Sequence, residues 1–454
     1  MMTSDQNSVV LGGGIAGIFA AIWLKNKGHH VTLIEKDENL GGLLRSRSNE
    51  HGDHFDFGTH FISPTGDSEI DSLLFDKKNV ESWIGFDRDM PGSFLAGHLI
   101  EDCGFPHTQY LAPPLYHQGC ADLLDSIGKS KGDLSNLNEH FYFLFGKTFT
   151  DEIFKPLYKA RFGIKSLDEM ISGCEIIFGH RRLVMSTPQA TRILKSIPAL
   201  DDRLGFHSVE EGSRSAKQYY PKVGGVQDWV SHLEEECESL GIVLKRSCTV
   251  SGVKIVDRKV QEVYTNKNER IVCDNLIVSI PPALLLRSAN IQSAQELAPP
   301  RMTFSYIVNL VYSENYLVKS YYLYNHDHKH LPFRITLYGN FQPITNGRYR
   351  LTVEVISAEQ MDTNKIIELC EKELISMKVI APTNRVIYSE CAPLKEGIPI
   401  FDSNYHKSAM NVLDITKSEM KNALVIGRYR ASSWLMSDVL IEAKLILEEE
   451  FGHK

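Results

Sequence analysis

The feature that most constrains the fold is a glycine-rich turn between two short apolar runs near the N-terminus. A strand-like run, Val9-Val10-Leu11, is followed by Gly12-Gly13-Gly14-Ile15-Ala16-Gly17 and by a stretch from Ile18 to Lys27 that predicts a helix. A second strand-like run then ends at Glu35. This order of strand, glycine turn, helix, strand and acidic residue is typical of a Rossmann-type dinucleotide-binding unit.

Dinucleotide binding explains the residue types in this turn. Gly12 permits the tight turn, Gly14 lets a pyrophosphate approach the backbone, and Gly17 lets the helix pack on the sheet. The free N–H groups at the start of the helix favour an anion, and Glu35 can accept a hydrogen bond from a ribose hydroxyl. The cofactor-binding residues predicted from this unit are Gly12, Gly14, Ile15, Ala16, Gly17, Glu35 and Lys36.

The size and charge of the chain exclude several classes of protein. A length of 454 residues suggests two or three domains and a core that needs no metal or disulfide. The chain has 49 lysines and arginines against 57 aspartates and glutamates, a formal net charge of −8. This balance lacks the basic excess typical of nucleic-acid binding. We therefore predict a small-molecule substrate and no nucleic-acid partner.

Cysteine usage and the first residues indicate where the protein works. The eight cysteines are scattered and contain no Cys-x-x-Cys pair, so we predict no metal site. This usage suits a reducing compartment. The N-terminus has no basic segment followed by an apolar one, and the run from Ile18 to Leu24 is too short to span a bilayer. These features predict a cytoplasmic protein without a membrane span, and they leave a homodimer open.

Two further motifs follow the first unit. Gly41-Gly42-Leu43-Leu44-Arg45-Ser46 adds a second glycine pair and an arginine, and Phe55-Asp56-Phe57-Gly58-Thr59-His60 comes soon after. Together with the glycine turn and Glu35, these motifs resemble the FAD-binding amine oxidase superfamily, which includes protoporphyrinogen oxidases, amine oxidases, phytoene desaturases and UDP-galactopyranose mutases. The resemblance implies FAD as the cofactor. It implies cofactor contacts at Gly42, Leu43, Arg45, Gly58, Thr59 and His60, with Arg45 near the pyrophosphate and residues 58–60 beside the isoalloxazine ring.

The resemblance extends to later segments of the chain. A run from Asn275 to Ile280, preceded by strand-like residues around Val250, is similar to the family's second FAD-binding segment. Near the C-terminus, a short strand is followed by Gly427-Arg428, and Ser437-Asp438 opens a predicted final helix. A helix N-terminus there would stabilise negative charge on a reduced flavin. The cofactor contacts implied by these segments are Val250, Ser279, Gly427, Arg428, Ser437, Asp438 and Val439, although the family usually has methionine where this chain has Ser437.

The predicted fold class is α/β, with a Rossmann-type FAD-binding domain interleaved with a mixed helical and antiparallel-sheet substrate domain. Residues 120–162 have a helical apolar pattern, and residues 302–357 contain β-rich runs. We assign residues 1–100, 216–290 and 396–454 to FAD binding, 101–215 to a mainly helical substrate or insert region, and 291–395 to an antiparallel substrate sheet.

Two enzyme activities remain open at this point. The first is an FAD-dependent oxidoreductase of the protoporphyrinogen oxidase or amine oxidase type that acts on a small organic substrate. The second is a non-redox, flavin-dependent nucleotide-sugar mutase, and a flavin-binding protein without turnover is a third interpretation. The strand-like run 305–311 lacks the lysine that amine oxidases usually carry, which argues against a standard amine oxidase.

Candidate catalytic and substrate-binding residues follow from the same resemblance. His60 is the catalytic candidate, because mutases carry a histidine in a similar glycine context. Arg182 and Arg334 are candidate anion ligands, since arginine binds phosphate or carboxylate with two parallel hydrogen bonds. Phe162 and Trp434 lie in segments similar to those that supply aromatic substrate contacts in the mutases.

Overall fold

The computed structural model describes residues 6–75, 82–128, 134–212, 217–295, 297–394 and 397–452. The chain forms two compact units, each built from separated segments. The first unit comprises Met1–Gly85, Tyr219–Pro299 and His406–Lys454, and the second comprises Phe86–Gln218 and Pro300–Tyr405. The predicted interleaved α/β fold is therefore confirmed. Within the described ranges, no helix has both the length and the apolarity needed to cross a membrane.

The first unit is organised around a five-stranded parallel sheet. Its spatial order is Ala423–Val425, Asn275–Val278, Asn7–Leu11, His30–Ile34 and Val243–Lys245. The central strands consist mainly of buried aliphatic residues, as expected for a parallel sheet covered on both faces. The strands that carry the glycine turn and Ser279 are neighbours, so their carboxyl ends meet at one edge of the sheet.

Helices and short antiparallel sheets complete the first unit. One three-stranded sheet contains Val250–Val256, Lys259–Thr265 and Arg270–Val272, and the hairpin Ser46–Ser48 pairs with His54–Asp56. Trp83–Phe86 and Gln218–Pro221 form a further two-stranded sheet. The helices are Ile15–Asn26, Ser68–Leu74, Val226–Ser239, Pro282–Ser288, Gln292–Gln295, Met436–Phe451 and most of Ser403–Glu419, with a 3-10 turn at Arg428–Arg430.

A seven-stranded sheet, called the large sheet below, forms the frame of the second unit. Its spatial order is Val386–Pro393, Phe304–Tyr312, Tyr349–Ser357, Pro332–Leu337, Tyr322–Asn325, Pro91–Leu95 and His98–Ile100. All neighbours are antiparallel except Tyr322–Asn325 and Pro91–Leu95. One face of the sheet packs its Leu, Ile, Val and Tyr side chains on the helix Thr363–Ser376. The other face carries the polar residues of these strands together with the buried aliphatic side chains Ile307, Val311 and Ile356.

The helical part of the second unit is more broken than the sequence pattern predicts. The expected helical stretch 120–162 is divided into Pro113–Asp125, Leu137–Phe149, a π-helical turn at Thr150–Phe154, and Lys155–Phe162. Gly146 interrupts the second of these with φ 75°, a backbone conformation that favours glycine, and a Cβ atom there would come within 2.6 Å of the Asp122 backbone. The remaining elements are Pro188–Lys195, Pro198–Asp201 and Val209–Gly212, with 3-10 turns at Thr108–Tyr110, Leu167–Glu169, Cys174–Phe178 and Tyr338–Asn340.

Candidate functional site

The glycine turn of the first unit has the geometry that a dinucleotide phosphate requires. Gly12 has φ 99°, in the left-handed region that favours glycine. A Cβ atom on Gly17 would lie 1.9 Å from the carbonyl oxygen of Gly12, so the helix can pack against the turn only with glycine there. A Cβ atom on Gly14 would meet nothing closer than Gly42 Cα at 4.0 Å. The turn therefore leaves no room for a side chain at Gly17, where the helix packs, and leaves free space beside Gly14.

The helix that follows this turn offers unpaired N–H groups to an anion. Gly14 is the N-cap of Ile15–Asn26 and provides no side-chain hydrogen bond to the first turn. The first amides, including those of Ile15 and Ala16, have no intrahelical partners because helix N-termini leave such groups unsatisfied. A phosphate bound there would satisfy them and the positive end of the helix dipole.

Glu35 is tied to the turn by its own carboxylate. Its Oε2 accepts a hydrogen bond from the Gly13 amide at 2.6 Å, and its Oε1 accepts one from the Asp37 amide at 2.9 Å. Each carboxylate oxygen can accept a second bond, so a ribose hydroxyl is compatible with this geometry. The Glu35 carbonyl also accepts from the Cys248 amide at 2.8 Å, which brings the segment leading to Val250 beside Glu35. Lys36 is exposed.

The second glycine pair lies directly against the first turn. The Gly41 amide donates to the Gly13 carbonyl at 2.7 Å. Gly42 has φ 62°, and a Cβ atom there would lie 3.1 Å from Gly14 Cα. The two turns thus form one glycine surface, and Leu43 next to it is half exposed.

One nitrogen of the Arg45 guanidinium has an acidic partner, and another has no partner among the described residues. Its terminal nitrogen pairs with Asp37 Oδ2 at 2.7 Å, and its guanidinium lies 5.6 Å from the centre of the Phe57 ring. Its Nε is buried and has no hydrogen-bond partner in the described part of the chain. Arg45, Asp37 and Phe57 line a cavity of about 320 Å³. An acceptor group from a ligand would satisfy this nitrogen.

Asp56 is a structural residue of the site that the sequence does not single out. It is almost fully buried and accepts from Tyr220 Oη at 2.6 Å, Ser46 Oγ at 2.6 Å and the Val226 amide at 2.9 Å. It therefore joins the hairpin at Ser46–Asp56 to the start of the helix Val226–Ser239. Its position within Phe55-Asp56-Phe57 is visible in the sequence, but its partners 164 and 170 residues away are not.

Two other predicted cofactor residues lie next to the glycine turn: Ser279, which bonds to it, and Gly427 of the C-terminal motif. Ser279 Oγ donates to the carbonyls of Leu11 and Gly12, at 2.9 and 3.0 Å, and so holds the glycine turn in place. Gly427 has φ 85°, and a Cβ atom there would lie 3.7 Å from Ala16 Cβ. The C-terminal motif therefore lies beside the start of the glycine-turn helix.

The final helix begins close to where the sequence predicts. It spans Met436–Phe451, with Ser437, Asp438 and Val439 in its first turn and no side-chain cap. Burial lowers the pKa of Arg428, whose guanidinium lies 5.9 Å from the centre of the Trp434 ring. Among the described residues, no carboxylate forms an ion pair with Arg428. Gly58 adopts φ 122°, and Thr59 and His60 follow it half-buried.

The predicted substrate residues of the second unit fall into two places. Phe162 is buried, with its ring centre 5.1 Å from that of Phe178, which in turn lies 5.9 Å from Phe333. The Arg334 guanidinium lies 5.5 Å from the centre of the Phe333 ring, so Phe162 and Arg334 belong to one aromatic neighbourhood. Arg182 lies elsewhere, where it bonds to the Asp201 carbonyl and lies 3.8 Å from the Asp202 carboxylate.

Arg334 is already paired within the large sheet. Its Nε and one terminal nitrogen donate to the two carboxylate oxygens of Glu354, at 2.6 and 2.9 Å. Tyr324 lies on the other side, with its ring centre 5.7 Å from the guanidinium. An anionic ligand at Arg334 would have to compete with Glu354. This partner lies on a neighbouring strand, and no local sequence pattern indicates it.

Comparisons with known proteins agree with the fold. Residues 10–77 match the model of an NAD(P)-binding Rossmann-like domain. The chain is 26% identical over 309 residues to a 4,4'-diapolycopene oxygenase of a Methylomonas species, covering 63% of this chain and 58% of that protein. It is 46% identical over 255 residues to a carotenoid 3,4-desaturase of Haloarcula japonica, covering 55% and 51%. The chain therefore spans little more than half the length of these relatives.

A solved structure extends the similarity to the whole chain. The crystal structure of a reduced UDP-galactopyranose mutase superposes with a TM-score of 0.79 at 17% identity, covering 99% of this chain and 96% of that one. At this identity the similarity concerns the fold alone. In its motifs, its fold and its relatives, the chain resembles the FAD-binding amine oxidase superfamily.

Proposed function

We propose that this protein is an FAD-dependent oxidoreductase that acts on a small organic substrate. The single observation that carries the proposal is the glycine turn, which is open at Gly14 and followed by a helix without a side-chain cap. When bound, FAD supplies the capacity to accept a hydride from the substrate. The chain's own residues bind and orient the reactants and set the charge around them.

Residues of the first unit are suited to hold the two halves of FAD. The Gly14 turn and the Ile15 amide suit the pyrophosphate, and Glu35 suits a ribose hydroxyl. The unpaired Nε of Arg45 is a donor that a phosphate oxygen would satisfy. Arg428, which lacks an acidic partner among the described residues, and the start of the final helix would stabilise negative charge. His60 keeps its proposed role as the catalytic histidine.

The polar face of the large sheet supports a substrate that carries polar groups. Thr336, Thr352 and Asn309 lie on this face and are almost completely buried. Thr352 Oγ1 donates to Asn309 Oδ1 at 3.0 Å, and the Arg334–Glu354 pair lies in the adjacent row. These hydroxyl and amide groups are compatible with a substrate that carries hydroxyl, amine or carboxyl groups.

The mutase alternative is less well supported by the arginines. A nucleotide diphosphate needs cationic partners, and the two arginines predicted for that role are engaged by Glu354 and by Asp201 and Asp202. Arg334 is neutralised by its partner, and Arg182 lies in a separate place. These two arginines therefore do not support the mutase.

The decisive experiment measures flavin content and flavin reduction. Acid-precipitated protein should release FAD, identified by its mass, because no covalent attachment is expected. Under anaerobic conditions, candidate substrates with polar groups should bleach the flavin absorbance, and oxygen or an added acceptor should restore it. Turnover of a UDP-sugar only after dithionite reduction would contradict the oxidoreductase and support the mutase. A protein that binds no FAD would contradict both.

A cytoplasmic location and a homodimer complete the proposal. The location follows from cysteine usage that suits a reducing compartment, and all eight cysteines are free in the structure. Size-exclusion chromatography with light scattering tests the homodimer, since a mass near 51.3 kDa would contradict it. Fractionation of cells that express the tagged full chain tests the location.

A further inference from the structure

The second unit contains a buried arginine without a counterion. Arg161, in the last turn of the helix Lys155–Phe162, is 5% exposed. One terminal nitrogen donates to the Asn325 carbonyl at 2.6 Å, and the guanidinium lies 4.9 Å from the centre of the Phe333 ring. In the described part of the chain, no carboxylate forms an ion pair with it. Burial lowers its pKa to about 9, so it remains charged at neutral pH. A buried charge of this kind is unfavourable unless something pairs with it.

Two buried histidines each have a ring nitrogen without a partner among the described residues, and one of them, His326, follows the residue whose carbonyl accepts from Arg161. His180 and His326 are both 1% exposed, and their ring centres are 5.3 Å apart. His326 Nε2 donates to the Gly104 carbonyl at 2.9 Å, and His180 Nδ1 lies 3.1 Å from Tyr158 Oη. The opposite nitrogens, His180 Nε2 and His326 Nδ1, have no partner among the described residues.

The hydrogen bonds assign one of these nitrogens as a donor. The Tyr158 hydroxyl has no other acceptor in the described ranges, so it donates to His180 Nδ1. A neutral His180 ring then carries its proton on Nε2, which is an N–H donor without an acceptor among the described residues. Burial lowers the pKa of His326 to about 4 and that of His180 well below its ordinary value, and the charge of Arg161 acts in the same direction. Arg161 is thus the cation of this group at neutral pH.

The surroundings of the group exclude water and strengthen any ionic contact. Phe178 and Phe333 are buried, and Tyr324 stacks on His326 with ring centres 6.1 Å apart. Electrostatic interactions are stronger in such an environment than in water. We propose that Arg161 and His180 bind an oxyanion, the carboxylate or phosphate group of a small-molecule ligand, within the second unit.

Arg203 provides a matched control. It is 4% exposed and lies 4.4 Å from the centre of the Phe143 ring, so its burial resembles that of Arg161. However, one of its terminal nitrogens donates to both Ser126 Oγ and the Phe143 carbonyl, each at 2.6 Å. No unpaired histidine accompanies it in the described structure. Its hydrogen bonds indicate a structural role.

The test compares anion binding by the FAD-loaded protein and its variants. Sodium phosphate and sodium benzoate are titrated at constant ionic strength, with chloride as the reference, and melting temperature and calorimetric affinity are measured. Wild type should be stabilised by at least one oxyanion and not by chloride. Arg161→Met should weaken binding at least roughly ten-fold, because a hydrogen bond to a charged group is lost. Arg161→Lys should retain part of the affinity.

The controls separate binding from folding. Arg203→Met should melt at a lower temperature than wild type and should still be stabilised by the anion. In the absence of anion, Arg161→Met should have a melting temperature no lower than that of Arg203→Met. If Arg161→Met does not fold, His180→Leu takes its place as the test. This variant removes the N–H donor of His180, keeps the charge of Arg161 and should weaken anion binding several-fold. A response to phosphate alone identifies a phosphoryl group, and a response to benzoate alone identifies a carboxylate on an apolar body.

Two results would overturn the proposal. One is a wild-type protein that neither phosphate nor benzoate stabilises beyond chloride. The other is a folded Arg161→Met or His180→Leu variant with unchanged affinity. Both results concern the second unit alone and leave the FAD proposal standing, because FAD content is measured separately on the same samples.

Discussion

Gly14 and Gly17 stand three residues apart in the same turn, yet a side chain would meet different surroundings at each. A Cβ atom on Gly14 enters open space, whereas one on Gly17 lies 1.9 Å from the Gly12 carbonyl oxygen. We expect Gly14→Val to fold and to lose most bound FAD, because the side chain occupies the space a pyrophosphate needs. We expect Gly17→Val to lose thermal stability itself. Absorbance at the flavin band per mole of protein, with thermal melts, measures both. Full flavin occupancy in Gly14→Val would contradict the phosphate assignment.

At the same scale, Arg428 and Arg430 form a natural pair of variants. Arg430 donates to Glu442 Oε1 at 2.9 Å, whereas Arg428 has no acidic partner among the described residues. Arg428→Met should therefore weaken FAD binding by about ten- to 150-fold, the effect of about 1.5–3 kcal/mol from a lost charged hydrogen bond. Arg430→Met should lower stability and leave FAD affinity close to wild type. Equal FAD affinities in the two variants would contradict a cofactor role for Arg428.

At the scale of elements, the pair between Arg334 and Glu354 joins two strands of the large sheet. Both side chains are less than one-fifth exposed, so Arg334→Ala removes two charged hydrogen bonds from a partly buried carboxylate. Removing one member of a buried pair costs about 3–5 kcal/mol, and partial exposure places this site at the lower end. We expect Arg334→Ala to destabilise the protein and Arg334→Met with Glu354→Leu to recover most of the loss. Urea unfolding measures the free energy of unfolding of both variants. An Arg334→Ala variant as stable as wild type would contradict a structural role for the pair.

The loop before the strand Pro91–Leu95 carries a pH-sensitive contact. Asp89 Oδ2 accepts from Tyr322 Oη at 2.5 Å, while Oδ1 is buried without a partner in the described structure. Burial raises the pKa of Asp89 to about 6 from an ordinary value of 3.8. Between these two pH values the folded protein keeps a proton that the unfolded chain has released, so the contribution of Asp89 to stability falls as the pH rises from about 4 through about 6.

Asp89→Asn tests this contact, because it keeps the acceptor for Tyr322 and removes the charge. We expect the free energy of unfolding to rise by on the order of 1–3 kcal/mol at about pH 8 and to change little at about pH 4. Urea titrations at the two pH values give the difference. Tyr322→Phe removes the hydroxyl and keeps the Asp89 charge, so adding Asp89→Asn to Tyr322→Phe should still raise stability more at about pH 8 than at about pH 4. An equal gain from Asp89→Asn at both pH values would contradict a raised pKa.

Elements differ in how far the sequence predicts them. The glycine turn, Glu35 and the final helix were predictable because each depends on residues close together in the chain, and their spacing has a physical reason. The break at Gly146 was not, since the close approach of the Asp122 backbone to this glycine depends on how two helices pack. The partner of Arg334 and the Arg161 contact with Asn325, 164 residues away, depend on tertiary pairing. No local pattern marks such contacts.

At the scale of the whole molecule, each unit is assembled from distant segments. The parallel sheet takes strands from near the N-terminus, from residues 243–278 and from residues 423–425. The predicted FAD contacts have the same distribution, from Gly12 through Val250 and Ser279 to Asp438. A ligand that binds these residues therefore stabilises three separated segments of the chain together.

Hydrogen exchange can detect this coupling. FAD at about 100 times its Kd should stabilise the first unit by about 2.7 kcal/mol, because it binds the folded and not the unfolded form. Amides that exchange only when this unit unfolds should then slow about 100-fold, in all three of its segments, 6–75, 219–295 and 406–452. Exchange mass spectrometry of apoprotein with and without FAD measures this, with Gly14→Val as the control that should show little slowing. Slowing confined to residues 6–75 would contradict a cofactor site built from all three segments.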